Sequence, residues 1–387
     1  MEDGKLIISI SGRMDSANAA QIEAEISEIR KAQPCGVIDM DCDQLAYVSS
    51  AGLRVILRLI KDTGKLTLIN VHTELYEILD MTSFTDIVEV HKAYRVFSVA
   101  GCDVIGKGAN GRVYRIDRET ILKVYQNPDA LPEIQREREL ARLAFVAGVP
   151  TAIPYDVVRV EGGGYGSVFE LLNAKSFADL VVDGDKTLDE VAEMSIRLLK
   201  LIHSKELHSE ILPSMKTVVL GWADFLRDYL EPQQFEKLHS LIDAVPDDGH
   251  LIHGDYHLNN VMLQNGESLL IDMDTLSHGH PIFELANMYN AYLGFGLTNP
   301  NQQLEFFGIP QETCALLWRK CLMLYLDTQD AAVIDAVEAK AKLAGLTRLM
   351  RREIRRGGLE TEDGRIMIKA CRDNINELLT RVDSLVF

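Results

Sequence analysis

Two tryptophans, eleven prolines and six cysteines are spread over 387 residues, and each scarcity removes a class of protein. The cysteines (Cys35, Cys42, Cys102, Cys314, Cys321 and Cys371) form no CxxC pair. A disulfide framework and a zinc site are therefore not expected, and buried thiols in a reducing cytoplasm are. Proline and serine never gather into a low-complexity run, so a floppy linker between domains is not expected. No run of about 18 apolar residues occurs, and the start MEDGKLIISI has two acids and no long apolar core, so the expected location is cytoplasmic with no membrane span. Positive charge is also short. Lys and Arg number 40 against 58 Asp and Glu, a net charge of −18, with −5 on residues 1–98 and −13 on the remainder. Binding to nucleic acid or anionic lipid rests on clustered Lys and Arg, so neither partner is expected, and any anionic ligand must meet a local positive site.

What is present is globular. Hydrophobic residues at 47% and charged residues at 25% exclude disorder and a coiled-coil rod. At roughly 150 residues per domain the length predicts two or three units. Residues 1–98 alternate strand-like and helix-like stretches. KLIISIS reads as a strand, Asp15 or Ser16 caps a helix to about Lys31, and GVIDMD reads as a buried strand. A helix then opens at Ser49–Gly52 and stops at Gly64, followed by KLTLINV, a helix in HTELYEILDM and a short strand in DIVEV. This alternation predicts one small sheet covered by helices. From residue 99 to 174 glycine-rich turns join strands, with a polar helix at about Leu131–Val146, and from 175 to 387 helices dominate.

Gly106-Lys107-Gly108-Ala109-Asn110-Gly111-Arg112-Val113 is G-x-G-x-x-G-x-V between two strands. Glycines let a backbone approach phosphate oxygens, and because Val113–Ile116 continues as strand, the pattern is that of a hairpin laid over a nucleotide and not of a Rossmann turn. Lys123, in the apolar strand ILKVY, needs a carboxylate and a phosphate partner to be tolerated there. Glu137 on the following helix is the candidate carboxylate, with Glu133 and Glu139 as alternatives. The segment LIHGDYHLNNVML followed by SLLIDMDTL supplies His253-Gly254-Asp255, Asn260 and Asp272. Asp255 can accept the proton of an attacking hydroxyl, and Asn260 and Asp272 offer hard oxygen ligands that suit Mg²⁺.

These residues resemble the aminoglycoside phosphotransferase and choline kinase-like group, relatives of the protein kinases, over about Gly101–Tyr292. The signatures are H-G-D-x-x-x-x-N at His253–Asn260 and I-D-x-[DE] at Ile271–Asp274. Gly279-His280-Pro281 and Glu284-Leu285-Ala286 extend the match, with Glu284 where that family usually has Asp. The resemblance implies a bilobal protein-kinase-like fold, with an N-lobe at 99–174 and a helical C-lobe at 175–387. It also implies that Gly106, Gly108, Gly111 and Val113 cover the nucleotide, that Lys123 and Glu137 pair at its phosphates, and that Glu170 and Leu172 of Phe169–Leu172 reach the base as a hinge. ATP or GTP would be the cosubstrate with Mg²⁺, and a small hydroxylated molecule the acceptor, walled by the helices after Gly296.

Asp41-x-x-x-Leu45-x-Tyr47-Val48-Ser49-Ser50-Ala51-Gly52-Leu53 resembles the STAS domain of bacterial anti-sigma factor antagonists, over residues 3–95. In that family a Ser or Thr at the start of this helix can be phosphorylated by a partner kinase; here that position is Ser50, with Ser49 replacing the usual Asp. Ser49 or Ser50 can equally serve as the helix cap. The resemblance implies a protein partner for this module.

The expected fold class is thus α/β plus α+β: a small STAS-type domain at 1–98 followed by a kinase-like phosphotransferase domain. Two alternatives to small-molecule transfer stand beside it. One is a protein kinase acting on a STAS serine, its own Ser50 or a partner's; the other is a nucleotide-sensing interaction protein without turnover. Arg348, Arg351, Arg352, Arg355 and Arg356 read as a solvated helix face. His203 reads as a helix end, and Trp222 and Trp318 as core.

Overall fold

A computed structural model describes residues 6–33, 37–108, 111–207 and 209–387, with backbone alone at 107 and 108. Cys35, and Ala109 and Asn110 of the glycine-rich stretch, lie outside the described residues. The chain divides into two compact units, residues 1–100 with 157–166 and residues 101–156 with 167–387.

The first unit runs β1 (Leu6–Met14), α1 (Ala19–Ala32), β2 (Ile38–Val48), α2 (Ser50–Thr63), β3 (Leu66–Val71), α3 (Thr73–Met81) and β4 (Glu89–Lys92). Its four strands lie in sequence order, and every pairing is parallel. Parallel neighbours need crossovers, and the three helices provide them. On β1 the alternation buries Leu6, Ile8 and Ile10 and leaves Ile7, Ser9 and Ser11 exposed. The inward residues join Met14, Ile38, Met40, Ile56 and Leu68 in one core. β5 (Val96–Phe97) pairs in parallel with residues 159–160.

Three boundaries differ from the sequence reading. α1 starts at Ala19, not after Asp15 or Ser16, because Asp15 Oδ1 accepts from the Ala17 amide (3.0 Å) and Asn18 Oδ1 from the Asp15 amide (2.8 Å). These side-chain bonds hold a turn that delays the helix. The last strand begins only at Glu89, since Phe84–Asp86 form a 3₁₀ turn. β2 continues to Val48, well past GVIDMD. α2 keeps its sequence-read limits: Ser49 is the cap, its side chain accepting from the Ala51 amide at 3.2 Å, and Gly64 ends the helix in the left-handed region.

The second unit opens with an antiparallel meander of β6 (Asp103–Gly108), β7 (Gly111–Arg115) and β8 (Thr120–Tyr125), then α4 (Leu131–Val146). Next along the chain come β9 (Pro154–Val160) and β10 (Tyr165–Glu170), whose residues 157–160 and 165–166 count with the first unit, and then β11 (Lys175–Ser176), α5 (Phe177–Val182), α6 (Leu188–His203), α7 (Met215–Phe225) and α8 (Pro232–Asp243). Short strands β12 (Leu251–Ile252), β13 (Val261–Gln264), β14 (Glu267–Leu270) and β15 (Ser277–His278) precede α9 (Ile282–Tyr292). The chain then continues as α10 (Gln302–Phe307), α11 (Gln311–Leu326), α12 (Ala331–Arg355) and α13 (Glu362–Leu379). All eleven residues of α9 are buried. A helix covered on every side is an axis around which others pack. Trp318, Tyr256, Phe177 and Phe283 fill the core about it. Among the described residues no helix is long and apolar enough to cross a membrane.

The start of α2 presses on two strand ends. A Cβ at Gly52 would lie 2.6 Å from Val48 Cγ2 and 2.8 Å from the Met14 carbonyl oxygen. Gly52→Ala should therefore destabilise the first unit by roughly 1–3 kcal/mol, as overpacked cores do. Hydrogen exchange of the β1 and β2 amides in the full chain reads this directly; unchanged protection would show that the helix can move aside.

Candidate active site

The strand register brings the first sequence-predicted residues together. Gly106 pairs with Val113 across β6 and β7, and Val113 pairs with Lys123 across β7 and β8, so the three form one row. Gly108 and Gly111 face each other at the open end of the hairpin. On α4, Glu137 shares a buried face with Ile134, Leu140 and Ala141, and is itself only 5% exposed. Glu133 and Glu139 are exposed.

Lys123 Nζ lies 2.8 Å from Glu137 Oε1 and 2.7 Å from Asp272 Oδ1. Burial alone would push the ammonium down, but the two carboxylates outweigh it and hold Lys123 well above its ordinary range. Tyr125 donates its hydroxyl to the other oxygen of Glu137. Asp272 has φ 64° and ψ 69°, a left-handed conformation uncommon outside glycine. Such backbone is kept where its surroundings require it.

Asp255 sits between β12 and β13, in a loop whose backbone is held from α9. Glu284 is fully buried and accepts from the amides of His253 (2.6 Å), Gly254 (3.1 Å) and Tyr256 (3.4 Å). Burial raises its pKa, yet its hydrogen bonding and the nearby histidines, His203 and His253, leave it net lowered. Asn287, one turn on, donates to the Gly254 carbonyl at 2.8 Å. Gly254 has φ 84°, and a Cβ there would meet the Thr275 carbonyl oxygen at 2.5 Å, so this position admits only glycine. Asn260 Nδ2 donates to the Asp255 carbonyl (2.9 Å), and the Ile271 amide donates to the Asn260 carbonyl (3.1 Å). These bonds tie Asp255, Asn260 and the residue before Asp272 into one cluster.

The Asp255 carboxylate has two partners that sequence reasoning did not name. Arg348 Nη2 lies 3.4 Å from Oδ1, and His257 Nε2 lies 3.4 Å from Oδ2. Burial raises the Asp255 pKa, but His257, Arg348 and His253 together hold it far below the usual carboxylate range. Arg348 also donates to Asn287 Oδ1 at 2.7 Å. The arginine-rich stretch is therefore not a uniformly solvated face. Arg348, Arg351 and Arg352 are half-buried, and only Arg355 and Arg356 are exposed. The signal for this lay in the i, i+3, i+4 spacing of the first three, but an acidic chain offers no sequence cue to what that face meets. Trp318 is core, whereas Trp222 is only half-buried. Of the predicted hinge, Glu170 ends β10, and Leu172 lies two residues beyond it, half-buried. Ser50 is the exposed first residue of α2.

The donor set suits a magnesium ion. Asp274 has its carboxyl pushed up to about 7, first by burial and then by the negative charge of Asp272 and Glu137. The site thus carries more negative charge than Lys123 neutralises. No group of three His, Cys, Asp or Glu residues is arranged as a metal cage among the described residues.

Two family profiles match the sequence: the phosphotransferase enzyme family over residues 102–312 and the STAS domain over residues 2–97. The first covers more than half of the chain, which belongs to the phosphotransferase enzyme family and carries an N-terminal STAS domain. A Bordetella bronchiseptica protein designated an anti-sigma factor antagonist, BtrV, is 37% identical over 93 residues, 23% of this chain and 78% of that protein. Among solved structures, a thermostable mutant of aminoglycoside phosphotransferase APH(4)-Ia is similar at 14% identity and a TM-score of 0.49, covering 72% of this chain and 94% of that one. A choline/ethanolamine kinase family protein from Mesorhizobium loti is similar at 13% identity and a TM-score of 0.49, covering 73% and 92%.

Glu284 makes a stability test of the loop. Its pKa is lowered in the folded protein, so its contribution is complete above the unfolded value of about 4.3 and is lost as pH falls through the folded one. Glu284→Gln leaves one acceptor oxygen for three amides and should cost roughly 1–3 kcal/mol near neutral pH. Urea titrations of both proteins should show that difference shrinking under acid; a difference independent of pH would assign the effect to packing.

Proposed function

We propose that the second unit transfers the γ-phosphoryl group of ATP or GTP to a hydroxyl of a small molecule. The proposed division is a STAS module at 1–98, an N-lobe at 99–174 and a C-lobe at 175–387. The observation that carries the reading is Lys123 bridging Glu137 and Asp272, the latter 149 residues from the lysine in sequence, beside the loop that holds Asp255 and Asn260.

In this reading the Gly106–Gly111 hairpin and Val113 cover the nucleotide, and Glu170 and Leu172 meet its base through backbone groups. Lys123, oriented by Glu137, pairs with phosphate oxygens. Asp272 and the Oδ1 of Asn260, whose Nδ2 is already engaged, would hold Mg²⁺. When bound, the ion neutralises charge on the phosphates being cleaved. Asp255 accepts the acceptor's hydroxyl proton while the oxygen bonds to the γ-phosphorus; the bond to the bridging oxygen breaks and its electron pair leaves with the nucleoside diphosphate. A strongly depressed pKa does not disqualify Asp255. The phosphoryl transition state is loose in most analyses, so the hydroxyl needs a fixed, ionised acceptor more than a strong base.

Asp255→Asn should lower kcat by about 10²–10⁴-fold, the range for a positioned acid or base, while nucleotide affinity changes little. Asp272→Asn should instead remove the dependence of nucleotide binding on Mg²⁺. Coupled detection of nucleoside diphosphate release and calorimetry check both, and an Asp255→Asn enzyme with full kcat overturns the assignment.

The STAS module is proposed to bind a protein partner, and one observation favours a second target for the kinase. Because Ser49 already serves as the cap, Ser50 is left exposed at the first helical position. A phosphate there would meet helix N-terminal amides and add about −1.5 to −2 charge to the surface. Mass spectrometry after incubation with Mg-ATP should find phosphate on Ser50 if the chain acts on itself; an unmodified Ser50 beside consumed small-molecule acceptor removes this reading.

A further inference from the structure

Arg348, Arg351, Arg352 and Arg355 repeat at helical spacing along the last turns of α12, and Arg356 follows as its cap. Arginines at a helix C-terminus ordinarily serve the helix dipole, and the exposed Arg355 and Arg356 need no other account. Arg348 lies two turns further back, and its guanidinium is committed to Asp255. The three half-buried arginines each lie over an aromatic ring. Arg348 Cζ is 5.7 Å from the centroid of Trp222, Arg351 Cζ 5.8 Å from Phe225, and Arg352 Cζ 4.9 Å from Phe295. The rings come from α7 and from the turn after α9, so three separate elements converge on this face.

The charge balance of the face is unusual for the chain. Among the described residues, Arg348 is the only one of the five with a carboxylate within ion-pair reach, and that carboxylate is Asp255. Glu353, on α12 itself, and Asp255 are the carboxylates whose charge reaches Arg352. Burial first, and then the charge of neighbouring arginines (Arg355 and Arg348 for Arg351, Arg356 and Arg348 for Arg352), lowers the pKa of both. In a protein of net charge −18, a run of arginines that begins at the proposed base, with Arg351 and Arg352 outside ion-pair reach of any carboxylate among the described residues, can take up an anion from outside.

We propose that this face is the acceptor subsite, and that the acceptor is a hydroxylated anion whose carboxylate or phosphate monoester is held by Arg351 and Arg352 while its hydroxyl is presented to Asp255. The planar guanidinium fork matches carboxylate and phosphate oxygens in pairs, and the rings beneath fix each fork's orientation. The same charges repel cations, so aminoglycosides and choline-like alcohols should bind this face more weakly than anionic acceptors. Arg348 keeps Asp255 ionised and in place and is a positioning residue. The inference rests on the phosphotransferase reading only for the word acceptor; the anion site stands on its own geometry.

The test uses the full-length protein saturated with Mg-ADP, so that the nucleotide site is filled and cannot supply the signal. Tartrate, glycerol 3-phosphate, glycerol and choline are titrated by calorimetry. One or both anions should bind, and the preference between them distinguishes a carboxylate from a phosphate site. Arg351→Gln with Arg352→Gln should weaken that binding by at least about tenfold, one charge-assisted bond's worth. Arg352→Lys, which keeps the charge and the stem, should retain part of it. Should the double variant fail to fold, Arg352→Gln alone gives the same reading. In turnover assays with Mg-ATP the variants should raise the KM for the anionic acceptor and leave the KM for nucleotide unchanged. Absence of arginine-dependent binding by either anion overturns the proposal, as does equal binding of glycerol or choline. Arginine-dependent anion binding without transfer from ATP upholds the anion site and fails the phosphotransferase reading instead.

Discussion

A single ammonium group holds the candidate site together. Lys123 lies on a strand and is largely buried, an unfavourable place for a charge unless oxygen atoms replace its water. Glu137 comes from α4 and Asp272 from the segment after β14, so satisfying one lysine fixes a strand, a helix and a loop relative to each other. Tyr125 closes the remaining side of Glu137. The arrangement leaves an excess of carboxylate around one cation, visible in the raised pKa of Asp274. A cluster built this way can take further positive charge, which in the proposed reading the divalent cation would supply.

The loop bearing Asp255 depends on a different principle. Its amides converge on Glu284, a carboxylate buried in α9, a helix covered on all sides. A buried carboxylate is tolerated when several donors surround it, and here the donors are the backbone of the very loop that must be shaped. The Glu284 side chain is long enough to reach three of those amides. Asn287 and Arg348 extend the same support outward, from the Gly254 carbonyl to the Asp255 carboxylate itself.

What could be read from residues was local or carried by a short motif. The limits of α2 and α4 were legible because Ser49, Gly64 and the apolar spacing of Ile134, Leu140 and Ala141 act within a few residues. The meeting of Lys123 with Glu137 followed from the need of a strand lysine for a partner on the next helix. The beginning of α1 was not legible, because Asp15 and Asn18 compete with the helix for the same amides. Nor was Arg348 at Asp255, 93 residues away, since that contact is set by how α12 packs on α9, where Asn290 Nδ2 donates to the Gly345 carbonyl at 2.7 Å. Helical spacing can mark a face as covered, but it does not say which distant residue covers it.

The all-buried α9 also divides the labour of variation. Groups that shape the loop point inward from it, whereas the side chains of α7 and α12 that surround the proposed acceptor stand on helices with a free face. Natural drift or laboratory selection can therefore rewrite the outer wall, and with it the choice of substrate, while the inner helix keeps the reaction geometry unaltered.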